Sequence, residues 1–349
     1  MNNFFKTIAF FTVGLLIVSC NNNDDDSEPL RDYSEQYEKD MAKIEEFLDT
    51  HTMTVEDNPG ATNDQDVTFT KIEAGGTETS IMDMGILKTM YVNQNDITYK
   101  IYYIPLRGEI DRNTSPAADI EKAPCNVDRV LTSYVGNYLY TAKETQTING
   151  QETEVDVLKF FEFERSEDAQ SYLTLSSLIK GWSEILPKFK TGSYVGNPDG
   201  TVSYFDFGAG VMFIPSGLGY YNGGSTAVPG YSPLIFSFKL YEIQRVDNDG
   251  DGIDSYQEDV VSSIVNSDGT LTEVDGVADG YVRVFAEGVD NPDDTDGDGT
   301  PDFIDIDDDG DSFMTKTEIK DPVTGDAYPY ANIPLCSDNK KKHLTAVCH

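Results

Sequence analysis

The chain has 349 residues and carries 25 basic against 62 acidic side chains, a formal net charge of -37. A surface that reads phosphate needs a basic patch, so this balance excludes nucleic-acid binding as a default and argues against docking on anionic lipid through a protein face. Four Cys exclude a disulfide scaffold, and three His, at 51, 343 and 349, leave little for the common metal and acid–base chemistries, while 20 Tyr and 18 Phe supply aromatic area for a core.

The N-terminus reads as an address. A basic start is followed by an apolar run at 7–18, the layout of a signal peptide and shorter than the ~20 residues of a permanent span. The run closes on Ile17-Val18-Ser19-Cys20, which resembles the lipobox of bacterial lipoproteins. The resemblance implies removal of residues 1–19 and membrane anchoring through acylated Cys20, since several acyl chains hold firmly where one does not. Residues 20–31 form a polar tether that cannot bury a core. Its tract at 21–28, Asn-Asn-Asn-Asp-Asp-Asp-Ser-Glu, resembles an export signal of some Gram-negative bacteria, implying an outer-membrane lipoprotein exposed at the surface.

Residues 32–50 predict an amphipathic helix: Tyr37, Met41, Ile44 and Leu48 recur at helical spacing and Phe47 widens the stripe. Asp32 with Glu35 offers a capping pair. A polar loop follows, and 32–66 is read as helix and loop. From residue 67 the pattern turns to strands, at 67–72, 88–92 and 97–104, which are expected to extend the sheet of the domain that follows. Residues 112–124 read as a loop, 128–140 as a strand. Asn149-Gly150 marks a hairpin between 143–147 and 155–163. Trp182, Ile185, Leu186 and Phe189 predict one internal helix over 178–190, ended by Gly192. Strands at 211–214 and 234–243 flank a loop rich in Gly, Tyr and Pro. After Arg245 the composition turns to Asp and Gly, a domain boundary.

Within 67–245 the segments Leu178-Ile179-Lys180-Gly181-Trp182, Phe213-Ile214-Pro215, Leu218-Gly219-Tyr220 and Pro233-Leu234-Ile235-Phe236, with Tyr134-Val135-Gly136 upstream, resemble the FKBP family of peptidyl-prolyl isomerases over 127–243. The resemblance implies Trp182 as pocket floor, Leu178 and Ile179 beside it with the Ile179 N–H as a donor, and Tyr134, Tyr220 and Phe236 as walls, the Tyr220 hydroxyl being a second donor. Phe163-Glu164 stands where the family has Phe-Asp, and Phe161-Glu162 fits nearly as well. The chemistry suits such a site. Rotation about an X-Pro bond must cross a barrier of roughly 18–20 kcal/mol between states of similar energy, and an apolar pocket that fits the twisted amide lowers it without a nucleophile. The chain departs from the family in its Glu, in a short stretch at 172–177, and in an inserted segment at 194–210, expected to form a hairpin near the pocket rim.

The 65 residues from 247 to 311 hold 22 Asp and Glu and one basic residue, Arg283. Asp247, Asp249, Asp251 and Glu258 fall at positions 1, 3, 5 and 12 of a loop with Gly252 at 6, and Asp254 adds a further acid. This is the oxygen spacing of an EF-hand-type calcium loop. Asp294, Asp296 and Asp298 repeat it with Asp302 and Asp305 beyond, and Asp307, Asp309, Asp311 and Glu318 repeat it again. The copies resemble thrombospondin type 3 repeats and imply structural calcium over 246–320, around an insert at 260–292. In the segment 321–349, Cys336 and Cys348 form a possible disulfide closing a 13-residue loop, worth about 3 kcal/mol by chain entropy, while Cys125 has no evident partner.

The expected fold is α+β, an FKBP-like antiparallel sheet wrapped around one short helix, followed by an irregular acidic tail. The expected function is a cell-envelope prolyl isomerase or folding factor acting on proline-containing polypeptides. The alternatives are an inactive FKBP-like binding module and a calcium-stiffened spacer.

Overall fold

The computed structural model describes residues 30–348 apart from 112, 113, 149, 260, 266–270 and 276–292, with backbone alone at 261–265 and 271–275. The signal peptide, Cys20, the tether as far as residue 29 and most of the insert lie outside the described residues. Contacts divide the chain into Met1–Leu30 and the compact unit Arg31–His349. No helix among the described residues is long and apolar enough to cross a membrane.

Helix α1 (Tyr33–Thr50) starts where Asp32 accepts the N–H groups of Ser34 (2.9 Å) and Glu35 (3.2 Å), satisfying donors that a helix start leaves open. Its stripe buries Met41, Ile44, Phe47 and Leu48. Strands β1 (His51–Val55) and β2 (Val67–Lys71) pair with each other in a separate two-stranded sheet. This corrects the expectation that the strand from residue 67 extends the main sheet: its partner is β1, a strand hidden directly behind the helix.

Strands β3 (Lys88–Gln94) and β4 (Ile97–Arg107) do join the main sheet. A four-residue helix, α2 (Ala117–Ile120), interrupts the expected loop at 112–124. The separate stretches read at 128–140 and 143–147 are one strand, β5 (Arg129–Ile148), paired from Tyr134 to Ile148 with β6 (Gln151–Ser166). Gly150 supplies the positive φ of 78° in the connecting turn. After β7 (Leu173–Thr174), helix α3 (Lys180–Ile185) is shorter than the predicted 178–190. Pro187 has no N–H to continue the helical ladder, and the chain tightens into a 3-10 turn at Leu186–Lys188. Then come β8 (Ser193–Gly196), β9 (Val202–Phe205), β10 (Gly208–Ile214) and β11 (Leu234–Gln244). The sheet order is β3-β4-β10-β11-β5-β6, antiparallel throughout, with β7 on β5.

The sheet is covered on both faces, as the period-two alternation of β10 and β11 requires. Met212, Ile214, Leu234, Phe236 and Phe238 pack with Trp182 and Ile185 of α3. Val211, Phe213 and Ile235 pack with Ile44, Phe47 and Leu48 of α1. The predicted single-helix wrap is thus one layer of a helix–sheet–helix arrangement. Gly181 permits α3 to lie close, since a Cβ there would meet Ile214 at 2.5 Å.

In the tail, β12 (Val261–Val265) pairs with β13 (Leu271–Asp275), and α4 (Thr315–Glu318) closes the third acidic loop. The tail is joined to the sheet domain by an apolar contact: Phe303 packs with Cys125 and Val127, and Tyr256 lies against them. At the boundary Arg245 pairs with Asp128, donates to the carbonyls of Glu121 and Ala123 (3.2 Å each), and lies 4.4 Å over the Tyr256 ring. Cys336 and Cys348 are disulfide-bonded, with Cα atoms 5.8 Å apart. Cys125 is a buried free thiol, its pKa pushed up by burial and by Asp128 beside it.

Candidate functional site

Seven of the aromatic and aliphatic residues singled out in the sequence meet on the α3 face. Trp182 on α3 and Phe236 on β11 are buried, 4% and 2% exposed, with ring centres 5.3 Å apart. Tyr134 on β5 stands edge-on to both, at 5.1 and 6.1 Å. Leu178 and Ile179 pack half-buried against the same cluster, as do Phe163 and Tyr220. Edge-to-face pairs of this kind are worth about 0.5–1.5 kcal/mol each beyond their burial. The Ile179 N–H lies ahead of the first helical bond of α3, which runs from the Trp182 N–H to the Ile179 carbonyl (2.9 Å).

The open register between Phe161 and Phe163 is decided by a bulge. β5 and β6 shift register between Gly136 and Asn137, where Gly136 faces Glu164 and Asn137 faces Glu162. Phe163 is left between them, and a bulge of this kind re-aims its side chain. Phe163 meets Phe236 at 5.8 Å, while Phe161 is 54% exposed. Gly136 makes room: a Cβ there would lie 2.7 Å from Phe236 and 2.8 Å from Phe163. Glu164 accepts the Tyr134 hydroxyl at 2.8 Å, whereas Glu162 is taken by Arg165. Burial, then Glu164, raises the Tyr134 and Tyr220 hydroxyl pKa values, so both remain proton donors at neutral pH.

The helical stripe of 32–50 carries no sign that α1 braces this site. Asp40, fully buried, accepts the Ser216 N–H (2.7 Å), the Ser216 hydroxyl (2.5 Å) and Gln36 Nε2 (2.6 Å). Ser216 begins the turn that leads to Tyr220. Tyr33 stacks on the neighbouring Tyr221 at 4.2 Å. The inserted hairpin β8–β9 forms, but not at the pocket rim: Tyr204 stacks on Tyr241 at 4.3 Å, in a cluster with Phe207 and Ala209 on the sheet face opposite Trp182.

The acidic loops at 247–258, 294–305 and 307–318 share one local geometry. The position-1 carboxylate accepts the position-6 N–H in each: Gly252 to Asp247 (3.1 Å), Gly299 to Asp294 (3.0 Å), Ser312 to Asp307 (3.1 Å). Position 6 has positive φ in all three, 106°, 98° and 79°, so Ser312 stands where glycine is easiest. Carboxylates of Asp247, Asp249 and Asp251, of Asp294, Asp296 and Asp298, and of Asp307, Asp309 and Asp311 converge. Burial, then Asp309 and Asp311, pushes Glu318 up to about 8, and both its oxygens are buried without a hydrogen bond. Asp305 lies near Asp298 and Asp296 and is raised mainly by burial. Two of the predicted ligands stand apart. Asp254 is exposed, and the Asp302 carboxylate is committed to the Thr295 N–H (2.9 Å) and hydroxyl (2.7 Å). Asp308, which the 1-3-5 spacing passes over, is 1% exposed and raised by burial to about 10. Converging carboxylates fit a hard cation with oxygen ligands.

Similar solved structures include a peptidyl-prolyl cis-trans isomerase from Pseudomonas syringae pv. tomato, 21% identical over 42% of this chain and 76% of that one, TM-score 0.26. FkpA from Escherichia coli is 20% identical over 41% of this chain and 48% of its own, TM-score 0.23, so the chain spans about half its length. The N-terminal domain of FKBP42 from Arabidopsis thaliana is 11% identical over 41% and 86%, TM-score 0.24. No curated protein matches the chain. Residues 265–343, which hold the second and third acidic loops, match the family model described as BamM C-terminal, rather than one described as a thrombospondin repeat.

Proposed function

We propose that this chain is a lipid-anchored cell-envelope prolyl isomerase or folding factor of FKBP type, with a tail that binds structural calcium. The observation that carries the reading is the Trp182–Phe236–Tyr134 cluster, ringed by half-buried Leu178, Ile179, Tyr220 and Phe163. A proline ring seated on the cluster leaves its amide in an apolar setting, and the Ile179 N–H and the Tyr220 hydroxyl would fix the flanking carbonyls. Two hydrogen bonds supply about 0.5–1.5 kcal/mol each, too little for a large acceleration, so apolar fit to the twisted amide does most of the work. Proline-containing polypeptides with a bulky aliphatic residue before Pro are the expected clients. Calcium would be held by the carboxylates at positions 1, 3, 5 and 12 of the three loops, where it neutralises acids that repel one another. The lipobox supports a membrane anchor at Cys20, and the BamM C-terminal match supports an outer-membrane setting.

The test is X-Pro peptide isomerisation by isomer-specific proteolysis or NMR exchange, with the macrolide inhibitor of the FKBP family as control. Turnover that the macrolide abolishes is the expected result. A folded chain with neither turnover nor macrolide binding overturns the enzyme reading. It would leave the binding-module reading, which the burial of Trp182 and Phe236 favours.

A further inference from the structure

We propose a further divalent-cation site between the acidic loops, formed by Asp251 and Glu258 of the first loop and Asp308 of the third. It rests on the calcium reading of the tail and shares Asp251 and Glu258 with the first loop, while Asp308 belongs to none of the three single-loop sets. Asp308 occupies position 2 of its loop, between two residues whose carboxylates converge within that loop. Its own carboxylate is turned the other way, toward the first loop. Oxygens of Asp251, Glu258 and Asp308 all lie within 4.8 Å of one another. Calcium binds oxygen at 2.3–2.6 Å, so two ligands on opposite sides of one ion are about 5 Å apart, and this group is the right size for one ion.

The burial of these side chains points to a ligand independently of their clustering. Asp251, Glu258 and Asp308 are 2%, 4% and 1% exposed. Both oxygens of Glu258, both of Asp308 and Oδ2 of Asp251 have no hydrogen-bond partner. Three donors lie nearby: the Ile253 N–H goes to the other Asp251 oxygen (2.7 Å), the Lys316 ammonium goes to the Gly250 carbonyl (2.9 Å), and the Thr315 hydroxyl stands beside Asp308, accepting its N–H at 3.3 Å. Three buried carboxylates that keep five unpartnered oxygens between them are strongly unfavourable unless a cation lies among them. Those five oxygens, completed by water, approach the six to eight that calcium takes. The site also has a structural consequence. Ser255, within the first loop, donates to the Phe303 carbonyl at 3.3 Å, and Phe303 is the side chain that packs on Cys125 and Val127 of the sheet domain. A cation here would fasten two loops together behind the contact that joins the tail to the domain.

Calorimetric calcium titration of the full-length chain in detergent tests this. Asp308→Asn keeps the shape and touches no single-loop set, so it should lower the stoichiometry by one equivalent and leave the remaining sites in place. Asp294→Asn, in the second loop, serves as the single-loop comparison. If Asp308→Asn binds as many ions as the parent while Asp294→Asn binds fewer, the inter-loop site is wrong and the loop reading stands. If the parent chain binds no calcium, both fail. Should Asp308→Asn not fold, terbium luminescence decides. Burial, then the nearby charges of Glu258, Asp302 and Asp308, raises the Tyr330 hydroxyl pKa, which puts its ring close to this group, so Tyr330→Phe should remove a component of the tyrosine-sensitised terbium emission. Unchanged emission would overturn the site.

Discussion

Adding a single methyl group at Gly136 tests whether the aromatic walls stand where the geometry puts them. Gly136 is not in the left-handed region, so alanine there brings no backbone strain, and restricting the unfolded chain favours the variant by about 0.4–1 kcal/mol. The new Cβ, however, would lie 2.7 Å from Phe236 and 2.8 Å from Phe163, and both rings must retreat to at least 3.4 Å for ordinary contact. Phe236 has little room to retreat, because Trp182 and Tyr134 stand edge-on behind it at 5.3 and 6.1 Å. Overpacking of this kind costs about 1–3 kcal/mol. The expected net loss in stability is therefore about 1–2 kcal/mol, small enough for a domain of ordinary stability to stay folded. Isomerisation should fall by much more than the folded fraction does, because two pocket walls move together. Urea denaturation and X-Pro turnover on the same preparation give both numbers. A variant at least as stable as the parent, with unchanged turnover, would refute the ring placement over Gly136.

Phe236→Ala should cost about 3–5 kcal/mol of stability, the range for emptying a buried aromatic site, and most of the proposed isomerase activity. Tyr220→Phe, which loses one hydroxyl, should cost only a few-fold in turnover. The reverse order would mean that hydrogen bonding rather than apolar fit carries catalysis. Asp40→Ala leaves the Ser216 N–H and hydroxyl without their acceptor, at about 1–3 kcal/mol for each buried donor left unpaired. Thermal melts should show the loss, and because the turn at Ser216 leads to Tyr220, turnover should drop with it. Cys20→Ala should move the protein from the membrane fraction to the soluble fraction on fractionation of cells, and continued membrane association would sink the lipobox reading.

Local patterns in the sequence carried what depends on near neighbours along the chain. The stripe of α1 and its Asp32 cap, the strands at 88–92 and 97–104, the hairpin of β5 and β6 and the 1-3-5 spacing of the acidic loops all follow from a short period or a fixed offset, and each appears in the fold close to where it was read. Tertiary structure decided the questions that a period cannot answer. Alternation places Phe161 and Phe163 on one face of an unbroken strand, and only the bulge opposite Gly136 sends Phe163 to the core and leaves Phe161 in solvent. The inserted segment reads as a hairpin, but which sheet face it covers depends on Tyr204 finding Tyr241, a contact between residues far apart in the chain. Asp308 is the clearest case. Its position in an alternating run marks it only as the acid that its own loop does not use, and its significance comes from Asp251 and Glu258, some fifty residues earlier, which the folded chain brings to it. Burying a carboxylate is unfavourable until something compensates it, and what compensates it is set by which loops pack together.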